Sequence, residues 1–380
     1  MRNQSLVKMT HLNSIVKEVN ANKIIEQYQK TKGFRLADKQ IEAAKTSAIN
    51  QVSIISGPPG SGKTTIVDLI CNIFKQSKKN VKIRLAAPTG KAAKRMTEST
   101  GLPASTIHRL LGYQPDGTFK YNEKHHLPST DVLIVDEFSM TDILMFYRLI
   151  MSLSESTILI LVGDKAQLPS VDCGQVLEDL LKVPEMPKTI LNKIYRQKEG
   201  STLLQRCLDI ADGKVPDLAP ASDFEMIEQH DVEKVFQSVC EIYNQEVKKR
   251  GLNNVCLLVP QNVGPLGVTV FNEYLQEMLN PYDCEDNEVK IGKRFLRKND
   301  IVIQLENRPE KNIYNGMVGE IVEVMLGPTH LEDIITVAFG DELVDYTRDE
   351  FNELKLAYGI TVHKSQGSGA TRSHMKSMCI

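Results

Sequence analysis

From about Gln51 onward, short apolar runs alternate with stretches of helical periodicity. Val52 to Ser56, Val81 to Ala87, Val132 to Val135 and Ile158 to Val162 read as strands. Between the first two, Ile66, Leu69, Ile70, Ile73 and Phe74 recur at three- and four-residue intervals, which lays one apolar stripe along a helix. Strand, turn and helix thus follow in βαβ order, and the alternation predicts an α/β fold with a parallel sheet between helices. A second α/β region begins near Pro187 and includes the apolar run Val255 to Val259. From about Gly292 it is interrupted by Ile301 to Leu305, Val318 to Val324, Ile334 to Phe339 and Leu343 to Tyr346, short β-branched runs separated by Gly, Pro and Asn turns. These predict a small antiparallel barrel inserted into the second domain. The chain has no internal repeat and no low-complexity tract.

A length of 380 residues suits two or three domains with sizeable cores. The composition, 41% hydrophobic and 25% charged, is that of a soluble globular protein. No apolar stretch approaches the roughly 18 residues of a membrane span, and the amino end lacks an apolar block before a small-residue cleavage site, so a cytoplasmic location is expected. Seven cysteines (Cys71, Cys173, Cys207, Cys240, Cys256, Cys284 and Cys379) contain no C-x-x-C pair. Neither a zinc site nor a disulfide framework is indicated, and most are expected to be buried small hydrophobes. The net charge of -2 conceals an asymmetry: residues 1–126 hold 21 Lys and Arg against 8 Asp and Glu, the remainder 25 against 40. A polyanion partner and a solvated Lys-rich face both explain the basic part.

Gly57-Pro58-Pro59-Gly60-Ser61-Gly62-Lys63-Thr64 satisfies G-x-x-x-x-G-K-[ST] between a strand and an amphipathic helix, the context that motif requires. Glycines there let backbone N–H groups close around phosphate oxygens at a helix N-terminus, Lys63 reaches the β- and γ-phosphates, and Thr64 offers a hydroxyl to magnesium. Gly57, Pro58, Gly60, Ser61, Gly62, Lys63, Thr64 and Thr65 are the expected nucleotide-binding residues. The expected cofactors are ATP and Mg2+. The strand Leu133 to Val135 ends in Asp136 and Glu137 beside that loop; Asp136 would hold magnesium with Thr64, and Glu137 would orient or deprotonate the attacking water. Leu161-Val162-Gly163-Asp164-Lys165-Ala166-Gln167-Leu168-Pro169 ends another strand, where Gln167 is a candidate γ-phosphate sensor.

An ordered set of further motifs makes the reading specific: Gln40, Ala87-Pro88-Thr89-Gly90-Lys91-Ala92-Ala93, Ser105-Thr106-Ile107-His108-Arg109-Leu110-Leu111, Tyr195-Arg196-Gln197, and Thr361-Val362-His363-Lys364-Ser365-Gln366-Gly367. With these, the chain resembles superfamily-one DNA helicases of the RecD/TraA type from about residue 35 to residue 368. The resemblance implies two RecA-like domains with ATP between them, single-stranded DNA and duplex junctions as partners, and 5′-to-3′ movement driven by hydrolysis. It implies that Gln40 contacts adenine and that Arg196 reaches the γ-phosphate from the second domain; a helix-surface role and a surface salt bridge are the bland alternatives. It implies DNA contacts from Thr89, Lys91, Thr106, His108, Thr361, His363 and Ser365. Gly112 to Pro128 resembles the hairpin that splits the duplex in this family, or is a plain surface hairpin, and Asn315 to Gly319 resembles a turn of its SH3-like barrel.

The resulting division is a polar helical segment at 1–32, a first RecA-like domain at 33–186, a second at 187–380, and the SH3-like barrel within it at 290–350. No membrane is indicated, protein partners stay open, and a monomer is the simplest expectation. After Gly367-Ser368 the family pattern is lost: Thr371-Arg372 comes too early to carry the family's second arginine, and the tail does not read as the expected apolar strand. An incomplete second domain from a truncated or frameshifted gene is therefore expected. That leaves a helicase and a remnant that binds ATP and DNA without productive unwinding as the competing readings, while a P-loop kinase does not explain the His363 motif.

Overall fold

The computed structural model describes residues 18–193, 201–284, 287–340, 342–366 and 376–379. They form two compact units that divide between Met226 and Ile227. In the first, α1 (Glu18–Lys32), α2 (Asp38–Ile49), β1 (Val52–Ser56), α3 (Lys63–Ser77), β2 (Ile83–Ala87), α4 (Gly90–Thr100), β3 (Ala104–Thr106), α5 (Ile107–Leu111), β4 (Val132–Val135), α6 (Ile143–Ser152), β5 (Ile158–Gly163), α7 (Val176–Lys182), β6 (Lys188–Ile190) and α8 (Thr202–Ala211) follow in chain order. The strands make one parallel sheet in the order β3-β2-β4-β5-β1-β6.

Strands β1, β4 and β5 are buried throughout, because apolar clusters cover both faces of the sheet. Ile55, Val132, Ile134, Ile158 and Ile160 face a cluster built with Ile66, Leu69, Ile70, Ile73 and Phe74 of α3. Their neighbours Ile54, Leu133, Val135, Leu159 and Leu161 face the other cluster, with Phe138 and Leu149. The two-residue period of a strand therefore sends successive side chains into opposite cores.

Three expectations change here. The polar amino-terminal segment carries α1, whose Ala21, Ile24, Ile25 and Tyr28 form a helical stripe buried in the first cluster. The Tyr28 hydroxyl donates to Asp68 Oδ2 at 2.8 Å and Lys32 Nζ pairs with the same oxygen at 3.1 Å, which ties α1 to α3. The boundary expected at residue 187 falls inside this unit, since β6 pairs with β1 and completes the sheet. The hairpin expected at 112–128 shrinks to a single antiparallel bridge, Tyr113 to Phe119, around a turn at Gly117.

The second unit contains α9 (Val232–Arg250), β7 (Val255–Val259), α10 (Val268–Leu279), β8 (Glu288–Ile291), β9 (Arg294–Arg297), β10 (Ile301–Gln304), β11 (Val318–Met325), β12 (Ile334–Phe339), β13 (Glu342–Thr347), β14 (Leu354–Leu356), β15 (Gly359–Thr361), α11 (Val362–Ser365) and β16 (Lys376–Cys379). A parallel sheet, β15-β7-β16, carries the α/β part. The tail thus supplies a strand where its sequence reads none, because pairing along the edge of β7 places it rather than a run of apolar side chains.

The inserted β region is a five-stranded antiparallel sheet, β13-β12-β11-β10-β14, with β8 and β9 as a separate hairpin. Among the described residues it is not a closed barrel. Strands β13 and β14 are its two edges and do not pair with each other, since the chain leaves β14 for β15 of the parallel sheet. Ile301, Ile303, Ala357 and Ile360 share a cluster with Leu252, Cys256 and Leu258, which fastens the insert to its host. The cysteines also depart from expectation: of those described, Cys71 and Cys240 are buried, Cys256 and Cys284 partly so, and Cys173 and Cys207 exposed.

A buried carboxylate holds the junction of the insert together. Asp300 Oδ1 accepts from the Tyr358 hydroxyl and from Asn280 Nδ2, both at 2.8 Å, and Oδ2 accepts from Gln276 Nε2 at 2.6 Å and the Arg297 amide at 2.7 Å. Burial pushes its carboxyl up, against the opposing pull of those donors. Removing the carboxylate would strand several buried donors, and each stranded donor costs about 1–3 kcal/mol. Asp300→Ala should therefore lower the unfolding free energy of the second unit by roughly 3 kcal/mol or more. Urea denaturation followed by a probe in that unit checks this, and a loss below about 0.5 kcal/mol would show that the junction does not depend on Asp300.

Candidate active site

The parallel order β4-β5-β1 sets three strand ends side by side at one edge of the first sheet. The glycine loop leaves β1, the two acids leave β4, and the Asp164 segment leaves β5 between them. Each is therefore brought to the same place by strand register alone.

Close packing and left-handed backbone shape the loop. Gly57 lies so near Leu191 that a Cβ would stand 2.7 Å from the leucine Cβ, and its amide donates to Gly163 O at 3.1 Å. Gly60 and Gly62 have φ of 82° and 87°, where a side chain is strained. Helix α3 begins at once with Lys63, so its first N–H groups point into the loop. Lys63 Nζ donates to Gly57 O at 2.6 Å and Pro58 O at 3.3 Å, lying across the loop. Thr64 is exposed and Thr65 half-buried on the first turn.

Gln40, on α2, is buried against this loop. Its Oε1 accepts from the Ala37 amide and its Nε2 donates to Ser61 O, each at 3.0 Å. A Cβ on Gly62 would collide with that Nε2. A cavity of about 130 Å³ opens beside them, lined by Ala37, Gln40, Ser61, Leu191, Asn192 and Lys193. Gln40 therefore sits between a cavity and the phosphate loop.

The two acids after β4 are partly buried. Asp136 continues the ladder, its amide donating to Ala86 O at 2.9 Å, and its Oδ1 accepts the Glu137 amide at 2.8 Å. Glu137 adopts φ 50°, a left-handed conformation that costs a non-glycine residue on the order of 1–2 kcal/mol. Burial pushes both carboxyls up; Asp136's charge adds to the rise at Glu137, while Lys63 and Arg95 oppose it at both. Asp164 is 2% exposed and raised by burial too, with the Ala166 amide and the Gln167 side chain donating to it. Gln167 is thus held at the same edge.

Buried polar atoms that the protein leaves without a hydrogen-bond partner include Ser61 Oγ, Glu137 Oε2, Ser139 Oγ and Thr141 Oγ1. All four belong to the loop or to the segment following β4, the pattern of a site built for a polar ligand. Ser139, Thr141 and Arg95 carry no motif of their own, so sequence reasoning did not single them out.

The residues expected at DNA begin helices. Thr89, Thr106 and Thr361 are the N-caps of α4, α5 and α11, accepting from the amides of Ala92, Arg109 and Lys364. A hydroxyl that accepts from a helix amide keeps its own proton to donate. Lys91 is half-buried on the first turn of α4. In the second unit His363 is exposed, and Ser365 Oγ donates to Val362 O at 2.6 Å. His108 is exposed on one side and packed on the other, with ring centroids 5.6 Å from Tyr113 and 6.0 Å from Phe119; burial lowers its pKa, favouring the neutral ring. Arg148 lies over Phe119 at 4.5 Å. The structure therefore joins His108 to the small hairpin, which the motifs do not reveal. Tyr195, Arg196, Gln197, Gly367 and Arg372 lie outside the described residues.

Comparison with known proteins places these features in a family. Residues 40–172 match the AAA domain model, and residues 271–339 match the ATP-dependent RecD-like DNA helicase SH3 domain model. The chain is 32% identical over 339 residues to the ATP-dependent RecD2 DNA helicase of Deinococcus radiodurans, covering 88% of this chain and 44% of that protein. It is 30% identical over 370 residues to the RecBCD enzyme subunit RecD of Mycolicibacterium smegmatis, covering 88% of this chain and 64% of that one. It thus spans less than two thirds of either relative. Among solved structures it shares its fold with a Bacteroides Pif1 bound to single-stranded DNA (TM-score 0.52, 20% identity, 88% and 84% of the two chains) and with the Pif1 helicase of Candida albicans (TM-score 0.53, 18% identity, 88% and 87%). Carrying the phosphate loop, the paired acids and the RecD-type SH3 match on one chain, this protein is similar to the RecD-like helicases.

Proposed function

We propose that this chain is an ATP-dependent DNA helicase that moves 5′ to 3′ on single-stranded DNA, coupling movement to ATP hydrolysis. The observation that carries the reading is the convergence of Lys63, Asp136, Glu137 and Gln167 at the sheet edge where Thr89 and Thr106 also begin their helices. Nucleotide and nucleic-acid chemistry thereby share one rim. The names of the RecD and RecD2 relatives support the same reading.

In this mechanism the loop amides and Lys63 bind the β- and γ-phosphates, and Gln40 faces the base from the neighbouring cavity. Thr64 and Asp136 would supply hard oxygen ligands suited to Mg2+. Bound there, the ion would neutralise charge on the phosphates. Glu137, whose raised pKa makes it a stronger base, holds and deprotonates the attacking water through its unpaired Oε2. Gln167, tied to Asp164, senses the γ-phosphate, and Arg196 is assigned to the transition-state charge. Threonine hydroxyls, Lys91 and Ser365 hold the phosphates of the track, with His108 and His363 completing it. Such contacts are indifferent to sequence.

DNA-stimulated ATPase and strand-displacement assays on duplexes with 5′ or 3′ overhangs test the reading, and unwinding only from a 3′ overhang would overturn the polarity. Lys63→Ala should abolish turnover and leave the thermal midpoint unchanged, because it removes a charge from the first turn of α3 and no core contact. An undiminished hydrolysis rate would sink the nucleotide assignment. Glu137→Gln should keep ATP affinity within about threefold while slowing hydrolysis on the order of 10² or more; a parallel loss of affinity would mark Glu137 as structural. Affinity for unrelated single strands should fall steeply and equally with added salt, as counterion release requires, and a flat response would count against a phosphate track.

A further inference from the structure

The short hairpin after α5 holds three aromatic rings together at the surface of the first unit. Helix α5 ends at Gly112, whose φ of 66° turns the chain back, and the Lys120 amide donates to Gly112 O and the Tyr121 amide to Leu111 O, both at 3.0 Å. At the far end the Gln114 amide donates to Thr118 O at 2.9 Å, and Asp116 Oδ1 accepts from the Thr118 amide at 2.9 Å and from its hydroxyl at 2.7 Å. Between these ties Tyr113 and Phe119 bring their ring centroids within 5.1 Å, and His108 of α5 lies 5.6 Å from Tyr113. Phe119 is the anchored end of the group, packing on the cluster that includes Phe146 and Leu149 of α6 and carrying Arg148 over its ring. Tyr113 is the open end. It is 54% exposed, and its interplanar angles of 85° with His108 and 58° with Phe119 mean that neither ring lies flat upon it.

We infer that Tyr113 is a stacking surface for one unpaired base of single-stranded DNA, a contact additional to those of the phosphate track. The inference rests on the helicase reading for its partner class. Packing explains Phe119, which meets the core, but not Tyr113, because leaving half of a large ring in water forgoes the stabilisation that burial would give. A ring already fixed by its hairpin loses little freedom when a base settles on it. The surroundings suit a nucleotide. Helix α5, five residues and about 7.5 Å long, separates Tyr113 from the Thr106 hydroxyl of the proposed track. The exposed Arg109 on α5, Lys120 packed against Gly112, and Arg148 over Phe119 supply cations for the phosphates on either side. The acids there are engaged, Asp116 with Thr118 and Asp142 with the Leu144 and Met145 amides that it caps. A ring face accepts any base, as movement blind to sequence requires. Within a duplex every interior base is already covered on both faces, so the ring reaches such a base only in a single strand.

The test uses the full chain with Tyr113→Ala, Tyr113→Leu and Tyr113→Phe. Affinity is measured at one salt concentration for an oligothymidine, for an oligomer of the same length that lacks bases, and for a blunt duplex. Tyr113→Leu keeps apolar bulk in the hairpin and removes the π-face, so it decides the matter if the alanine variant disturbs the fold. The expected result is oligothymidine binding weakened about fivefold or more by Tyr113→Ala and Tyr113→Leu and unchanged by Tyr113→Phe, with affinity for the base-free oligomer and for the duplex unaltered throughout. Oligothymidine affinity that all three variants keep would overturn the inference while leaving the helicase reading intact. Equal weakening on the oligothymidine and the base-free oligomer would also overturn it, by showing that the residue shapes the phosphate track and holds no base. Weakening confined to the blunt duplex would overturn it by assigning the ring to a terminal base pair. A wild-type chain that binds no single strand would overturn the helicase reading, and the inference with it.

Discussion

The cost of burying charge at the C-terminal edge of the first sheet governs the rest of that unit. Asp136, Glu137 and Asp164 stand at the ends of adjacent strands, and burial raises all three carboxyls. Desolvating carboxylates is unfavourable unless cations or donors meet them, and the unit supplies Lys63 and Arg95 as charges and backbone amides as donors. The sheet must be rigid to hold that arrangement, and its rigidity comes from apolar clusters on both faces. Packing on two sides is thus the condition for an acidic edge whose carboxyls are raised by burial.

Backbone strain belongs to the same account. Glu137 is held at φ 50° between β4 and a short turn, with its neighbour's carboxylate accepting its amide. An unstrained residue there would continue the strand or enter a helix, and in either case Oε2 would point elsewhere. Conformational cost at this position therefore sets direction, while the buried Phe138 beside it anchors the turn.

The parts of this arrangement that were legible in the sequence are those encoded locally. Strands β1 and β4 show as apolar runs with the observed limits, and the glycine loop shows as a motif, because both depend on neighbours in sequence. The fully buried α3 stripe is visible for the same reason. What escaped depends on partners far along the chain. Helix α1 looks polar until Ala21, Ile24, Ile25 and Tyr28 are seen to meet α3. Strand β6 is only three residues long, and just its pairing with β1 assigns it to the first unit. Closure of the β insert could not be read from strand count, since whether two edge strands meet is decided by where the chain goes after β14. Arg95 and Ser139 were invisible because an arginine on a helix and a serine after a strand have no distinguishing pattern until the acids are placed beside them.

Gln40 joins two features that motif reading keeps apart, the cavity and the glycine loop. A glutamine expected at the base is hydrogen-bonded through both ends of its amide, to Ala37 N and Ser61 O, while lining the cavity beside the loop. A carboxamide that turns toward a base must loosen its hold on Ser61 O, and Ser61 lies between two glycines with left-handed backbone. The loop carries little conformational stiffness of its own at those positions, so an external tether has a large influence on where its amides point. Gly62 has no room for a Cβ against that same amide. The absence of a side chain at Gly62 therefore serves the tether as much as the turn, and a shift of the Gln40 carboxamide would be felt by the loop.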